Sequence, residues 1–331
     1  MDRQPEMSST IFEVPAVIDA ALRDGADMAW SLSGGKDSQA LVIVGAAWFR
    51  AQGYPGRQYV IHADLGRAEW PQTPAFVQQI AEQAGVPLII TRRTGGDLIQ
   101  RIEQEIERLA GTNRQVWPSS GARYCTSDLK RGPLNRAQRT LSEVVICAQG
   151  NRFQESPGRA KQPVVEVDKG ITATSIEPAK NLKGMPPDEA LAARQPGQRL
   201  ALNWHAIASY TIDQVWEACG TSTADLQLRR ALYQAGQHEE ALEGWPCHPA
   251  YVFGNERLSC AFCVLGSKGD LLNGAQHNPE LYAHLIKLEI VGGATFKNKW
   301  SLTELPVTGR AAQLRDETLA AYGDQEFRQA A

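Results

Sequence analysis

No stretch of the sequence reaches the roughly 18 consecutive apolar residues that a membrane-spanning helix needs. The first residues, MDRQPEMSSTIFEV, lack the charged-then-apolar pattern and small-residue cleavage site of a secretory leader. Neither sign of charge dominates: 34 Lys and Arg stand against 37 Asp and Glu, a formal net charge of −3. The strongly basic field that binds nucleic acid unaided is therefore missing, although a local basic groove is compatible with this balance. Cysteine is scarce, with 6 in 331 residues. Without a leader these thiols are expected to be reduced, so metal binding or packing is the default for them rather than disulfides. There is no internal repeat. These absences leave a globular protein expected in the cytoplasm, with enough chain for one large core or a core plus an appendage.

What the sequence has is an alternation of short apolar runs with helical periodicity. Met28–Leu32, Tyr59–Ala63, Pro87–Thr91 and Val144–Ala148 are apolar nearly throughout, as parallel strands buried on both faces are. Between them lie helix candidates at Gln39–Ala51, Thr73–Ala84, Asp97–Leu109 and Pro133–Leu141. Ile99, Ile102, Ile106 and Leu109 recur at helical spacing, which predicts that their helix docks on the sheet. The pattern is that of a doubly wound α/β domain. After Gly150 the character changes. Residues 156–196 are rich in Pro, Gly, Lys and Glu with little periodicity and read as loop. A fifth strand is expected at Arg199–Asn203, then a helix capped by Thr211 and stopped at Gly220. The expected division is an α/β domain over residues 1–205, with 156–196 as a loop-rich insert. A mainly helical region over 206–331 follows, carrying a Cys-x-x-Cys pair.

The most informative segment is Ser33-Gly34-Gly35-Lys36-Asp37-Ser38, between a buried strand and a helix. Two glycines let the backbone turn tightly and come close to a ligand. The helix that follows offers free N–H groups and the positive end of its dipole to an anion. Ser33 and Ser38 add hydroxyls, Lys36 adds charge, and Asp37 suits a Mg²⁺ that bridges phosphate oxygens. The spacing is neither G-x-x-x-x-G-K-[ST] nor G-x-G-x-x-G. A plain strand-to-helix turn is the bland alternative.

SGGKDS after a first strand resembles the loop of the ATP-pyrophosphatase (PP-loop) superfamily. His62-Ala63-Asp64-Leu65-Gly66, with Glu69, resembles the second-strand motif of its phosphoadenylylsulfate (PAPS) reductase-like branch. Arg123-Tyr124-Cys125-Thr126-Ser127-Asp128-Leu129-Lys130, running on to Pro133-Leu134, resembles that branch's cysteine-containing element. Gly150-Asn151-Arg152, Glu155-Ser156 and Arg159 resemble its G-x-R-x-x-E-S-x-x-R element. The match runs in order over roughly residues 25–270, which makes it far more specific than any single motif. It implies a Rossmann-like (HUP, adenine nucleotide α-hydrolase-like) parallel sheet of about five strands. It also implies ATP and Mg²⁺ as ligands, with cleavage between the α- and β-phosphates. Ser33, Gly34, Gly35, Lys36, Asp37 and Ser38 would hold pyrophosphate. Lys36, Asp37, Lys130 and Arg152 are the candidate catalytic residues, and Asp64, Gly150, Arg152 and Arg159 further nucleotide contacts. For Asp64 a turn or helix cap stands as the alternative, and any of these cations taken singly reads as solvated surface charge.

Cys260-Ala261-Phe262-Cys263 can present two thiolates to one metal or cluster. In the cluster-bearing reductases of the branch, the cysteine element carries two adjacent cysteines. Here the second is Thr126. The resemblance then implies a [4Fe–4S] cluster held by Cys125, Cys260 and Cys263, completed by Cys247 or left with an open iron. A Zn²⁺ site of Cys247, His248, Cys260 and Cys263 is the alternative, since soft thiolates suit both. Cys147 and Cys219 read as core positions, and His248 as a hydrogen-bonded structural histidine.

His248-Pro249-Ala250-Tyr251, Gly254, Arg257, Ser259-Cys260 and Phe262-Cys263 resemble the tail motif of bacterial and phage reductase-like proteins. They also resemble the ATPase of DNA phosphorothioation systems. True PAPS reductases attack sulfonate sulfur with a C-terminal cysteine, and no cysteine follows Cys263. The resemblance thus implies an enzyme that forms AMP and pyrophosphate while adenylating an acceptor for sulfur incorporation, a DNA backbone phosphate being the favoured acceptor. Implied partners are a cysteine desulfurase and a protein that presents the DNA. Arg92, Arg93, Arg131, Arg136 and Arg139 would form a modest basic strip, or else an exposed helix face. Thiolation of tRNA or a small molecule, a non-catalytic nucleotide-binding subunit, and a residual sulfonate reductase are the other readings.

Overall fold

Among the described residues six strands build one sheet: β1 (Asp27–Ser31), β2 (Gln58–Ala63), β3 (Leu88–Thr91), β4 (Val144–Ala148), β5 (Val165–Val167) and β6 (Leu200–Trp204). The computed structural model describes residues 13–112, 114–174 and 181–323. The amino-terminal stretch read for a leader, residues 175–180 of the loop-rich segment and the end of the chain lie outside the described residues. Strand order is β3-β2-β1-β4-β6-β5, and every pairing is parallel except β5 against β6. The chain winds outward from β1 to β3 on one side and from β4 to β6 on the other. The order therefore reverses between β1 and β4, where open α/β sheets take their ligands.

The central strands alternate as buried parallel strands should. On β4, Val144, Ile146 and Ala148 join one core with Met28, Trp30, Leu41 and Leu202. Val145 and Cys147 face the opposite layer with Ala29, Ile61 and Ala201. Helix Lys36–Gln52 lies on the first face. Its Gly45 admits the ring of Trp30, since a Cβ there would sit 2.6 Å from a ring carbon.

Three expectations are corrected. The segment 156–196 is not all loop: it contains β5 and the helix Pro187–Ala193, whose Ala190 is fully buried. Three residues are too few to register as a strand by alternation, so β5 is visible only through its pairing with β6. The sheet thus has an antiparallel sixth edge strand beyond the five expected. Helix Leu98–Leu109, with Asp97 as its capping-box N-cap, buries its isoleucine stripe against Tyr282, Leu285, Ile286 and Ile290 of helix Pro279–Gly292 rather than against the sheet. An apolar stripe demands burial without naming the partner.

Both large cores draw on residues from either side of residue 205. Val215, Trp216, Cys219 and Tyr251 pack with the sheet, while Leu65 and Trp70 pack with the C-terminal helices. Among the described residues no helix is long and apolar enough to cross a membrane.

Gly45→Ala is expected to lower stability by about 1–3 kcal/mol in urea unfolding, because overpacking against Trp30 outweighs the gain in helix propensity. An unchanged midpoint would show that Trp30 has room to move.

Candidate active site

β1 ends at Ser31, and the chain turns through Leu32, Ser33, Gly34 and Gly35 into helix Lys36–Gln52. Gly34 adopts φ +83°, the left-handed conformation that glycine takes without a Cβ clash. The turn is braced internally: the Ser38 hydroxyl donates to the Gly35 carbonyl (2.8 Å) and accepts the Ser33 backbone N–H (3.1 Å). β4 leads to Gly150 and Arg152 directly beside it. A Cβ on Gly150 would lie 2.9 Å from the Asp37 carbonyl carbon and 3.0 Å from the Ser38 nitrogen. Only glycine lets the two loops at the switch point touch.

Asp37 joins them chemically. Its carboxylate takes Lys36 Nζ at 2.8 Å on one oxygen and Arg152 Nε at 2.5 Å on the other. Burial pushes the Asp37 carboxyl up, but the two cations outweigh it and hold it below the usual carboxylate range. Lys36 itself is enclosed, its Nζ 5.7 Å from the Trp216 ring centre and 5.8 Å from that of Tyr251. The Tyr251 hydroxyl accepts the Lys36 backbone N–H at 3.0 Å, and the Cys219 thiol donates to the Lys36 carbonyl at 3.3 Å. The C-terminal region is thus the back wall of the phosphate loop.

In front lies a cleft of about 610 Å³, within the range that suits a nucleotide-sized ligand. Ser33, Gly35, Lys36, Asp37, Ser38, Lys130, Gly150, Arg152 and Arg159 all line it. Lys130 arrives on a continuous helical stretch, Tyr124–Gln138, whose Ser127–Arg131 portion is a π-helix. Pro133 lacks the N–H that would close an ordinary turn onto Leu129, so the helix widens there. That widened turn sets Thr126, Lys130, Arg131, Asn135 and Gln138 along the cleft.

Asp64 is placed elsewhere. Its carboxylate accepts the Gly66 N–H at 2.7 Å and pairs with Arg92 at 2.7 Å, and it does not line the cleft. Of the expected basic strip only Arg131 reaches the cleft. Arg92 is held by Asp64, Arg93 by Gln104 and the Gly95 carbonyl, and Arg139 by the Gly170 carbonyl.

The expected four thiolates divide into two groups. Cys125, Cys260 and Cys263 are electrostatic neighbours of one another, and Lys130 acts on both Cys125 and Cys260. Burial pushes the Cys125 thiol up and the Cys260 thiol to about 12, and Lys130 works against this. Cys247 instead neighbours Cys219 behind Lys36, in a different core. His248 is buried and neutral, accepting the Ala250 N–H and sharing a hydrogen bond with the Thr73 hydroxyl. Burial depresses its pKa to about 4. Among the described residues no group of three or more His, Cys, Asp or Glu side chains is arranged to hold a metal ion. The donor types fit a three-thiolate centre, but their present spacing does not close one.

The family profile of the phosphoadenosine phosphosulfate reductase domain matches residues 27–252, from β1 through the Tyr251 wall. The chain belongs to that family. In this phosphosulfate reductase-domain protein the phosphate loop, the π-helix and the Gly150–Arg159 segment fall inside the matched span, whereas Arg257 and the Cys260–Cys263 pair fall beyond it. Among solved structures, the U34-tRNA thiolase NcsA from Methanococcus maripaludis with its [4Fe–4S] cluster is similar at 14% identity and a TM-score of 0.41. That comparison covers 93% of this chain and 76% of the other. No curated protein matches the chain significantly.

Tyr251, Trp216, His62 and Glu69 have no individual role legible in the sequence; Tyr251, His62 and Glu69 stand there only as members of motifs. His62 Nδ1 donates to the Leu32 carbonyl (2.8 Å), and its Nε2 faces Glu69 at 3.4 Å in the cleft wall. Burial pushes the His62 pKa down, but Glu69 and the Leu32 carbonyl reverse this and leave it above the ordinary 6.5. The pair therefore stabilises the fold fully below about pH 6.5 and loses its contribution as pH rises through the higher folded-state value. In Glu69→Gln, His62 should titrate at lower pH than in the parent, followed by NMR of its ring protons, and that pH dependence should shrink. An unmoved titration would show that Glu69 does not act on His62.

Proposed function

We propose that the chain is an ATP pyrophosphatase that transfers the adenylyl group of ATP to an acceptor oxygen, preparing that centre for sulfur. The observation that carries this is the convergence on one cleft of the glycine turn at Ser33–Ser38 with Lys36, Asp37 and Arg152, at the point where strand order reverses. Membership in the phosphosulfate reductase-domain family supports a nucleotide ligand there.

In the ligand-free protein Asp37 occupies both cations. When MgATP enters, its β- and γ-phosphates offer Lys36 and Arg152 a stronger partner, and the released Asp37 carboxylate can meet the accompanying cation. The amides and hydroxyls of Ser33–Ser38 then hold the departing pyrophosphate. Charge on the α-phosphate during in-line displacement falls to Arg152. Lys130, which lines the cleft, also neighbours the thiols of Cys125 and Cys260, and sulfur delivered by a desulfurase would arrive on that side. Cys125, Cys260 and Cys263 would hold a [4Fe–4S] centre, which would supply redox chemistry there, or a Zn²⁺, which would not. Cys247 has no part in it. The acceptor suggested by motif resemblance, a DNA backbone phosphate, and the alternative acceptor, tRNA, become the two arms of the assay.

Purified protein with ATP, Mg²⁺ and either acceptor should yield AMP and pyrophosphate. Lys36→Ala and Asp37→Ala should each reduce that yield by on the order of a hundredfold or more with unchanged circular dichroism. ADP and phosphate as products would overturn the reading, as would full activity in both variants. In anaerobically purified protein, Cys260→Ser should lose bound iron or zinc and Cys247→Ser should keep it. The opposite pattern would contradict the three-thiol grouping.

A further inference from the structure

Several cations in the cleft have no carboxylate to answer them. The acids that line it are all engaged: Asp37 by Lys36 and Arg152, Glu69 by His62, Glu155 by the Arg152 N–H and Arg159, and Asp168 by the N–H groups of Gly170 and Ile171. Lys130, Arg131 and Arg257 remain, and none has an ion pair among the described residues. Lys130 acts on the thiols of Cys125 and Cys260. Leu258, next to Arg257, packs against Gly34 and Gly35. These cations therefore border the part of the cleft between the phosphate loop and the thiols.

The charge continues out of the cleft. Residues 121–140 carry Arg123, Lys130, Arg131, Arg136 and Arg139 against one acid, Asp128. Asp128 is already taken by Arg101 at 3.2 Å. Arg123 and Arg136 are exposed and unpaired among the described residues. In a chain of net charge −3, this single element holds a concentrated surplus of positive charge.

We propose that Lys130, Arg131 and Arg257 form a second anion subsite that takes a phosphodiester of the acceptor, making that acceptor a nucleic-acid strand rather than a small molecule. The proposal rests on the adenylation reading above and names its substrate class. One nucleotide is served by the phosphate loop with Lys36 and Arg152. A further set of unanswered cations that runs on to an exposed basic helix suits the successive phosphates of a polymer. Lys130 and Arg131 position the strand through its backbone and leave base and sugar to other contacts.

The test is fluorescence anisotropy of labelled single-stranded oligonucleotides, one RNA and one DNA, each about 20 nucleotides long, titrated with the full chain over a range of salt. ATP binding by the same preparation is measured alongside. Binding of either strand supports the subsite, and the tighter of the two names the sugar. Arg131→Gln and Arg257→Gln should each weaken strand binding on the order of fivefold and reduce the salt slope by about 0.7. Arg23→Gln, an equal loss of charge on helix Ala16–Arg23 and away from the cleft, should leave both unchanged. If Arg23→Gln weakens binding as much as the cleft variants, or if neither strand binds at low salt while ATP does, the subsite is wrong and the adenylation reading stands. If ATP itself fails to bind, the failure belongs to the adenylation reading.

Discussion

The site depends on one shared carboxylate. Asp37 sits at the first turn of the helix after β1 and is held by a lysine beside it and an arginine delivered from the end of β4. That bridge is possible only because Gly150 lies against the Asp37 backbone with no side chain between them. Sheet topology brings the two loops to the same point, a missing Cβ lets them touch, and charge fastens them. Each cation on Asp37 is also one that a phosphate can claim, so the ligand-free site is compensated and ready to exchange partners. Burial strengthens this arrangement, because a half-desolvated carboxylate with two close cations stays ionised where an isolated one would not.

The C-terminal region braces the turn after β1. Trp216 and Tyr251 enclose Lys36, Tyr251 takes the first helical N–H, and Cys219 holds the Lys36 carbonyl. One end of the helix Lys36–Gln52 is therefore fixed from behind, while Ser33, Gly35, Lys36, Asp37 and Ser38 line the cleft in front. On the opposite side Lys130 reaches the thiol group through a helix widened by Pro133. The cleft wall carries Lys36, Lys130, Arg131, Arg152, Arg159 and Arg257 against Asp37, Glu69, Glu155 and Asp168, so its cations exceed its acids.

Much of this layout was legible in the sequence, for a physical reason. Strands buried on both faces are written as apolar runs, and β4 appears with the boundaries read for it. Helix Thr73–Ala84 and the Thr211 cap likewise lie where local chemistry puts them. The loop residues Ser33 to Ser38, with Gly150 and Arg152, were found because each follows a strand at a fixed offset, and the fold gathers strand ends. Contacts across long chain separations were not legible. Tyr251 lies 215 residues from the N–H it accepts, and no local pattern announces that. Cysteine spacing could not tell that Cys247 faces Cys219, nor could an isoleucine stripe tell that helix Leu98–Leu109 packs on another helix. Asp64 was open between ligand and turn; its carboxylate accepts the Gly66 N–H of its own turn and pairs with Arg92 just after β3.

The central claim is that the turn after β1 grips the phosphate tail of ATP. The most direct measurement is a crystal structure with Mg²⁺ and α,β-methylene ATP, whose bridging carbon prevents cleavage at the bond in question. The expected result is β- and γ-phosphate oxygens within hydrogen-bonding distance of the amides of Ser33–Ser38, with Arg152 moved from Asp37 onto phosphate. A nucleotide lodged away from that turn, with the Asp37–Arg152 bridge intact, would contradict it.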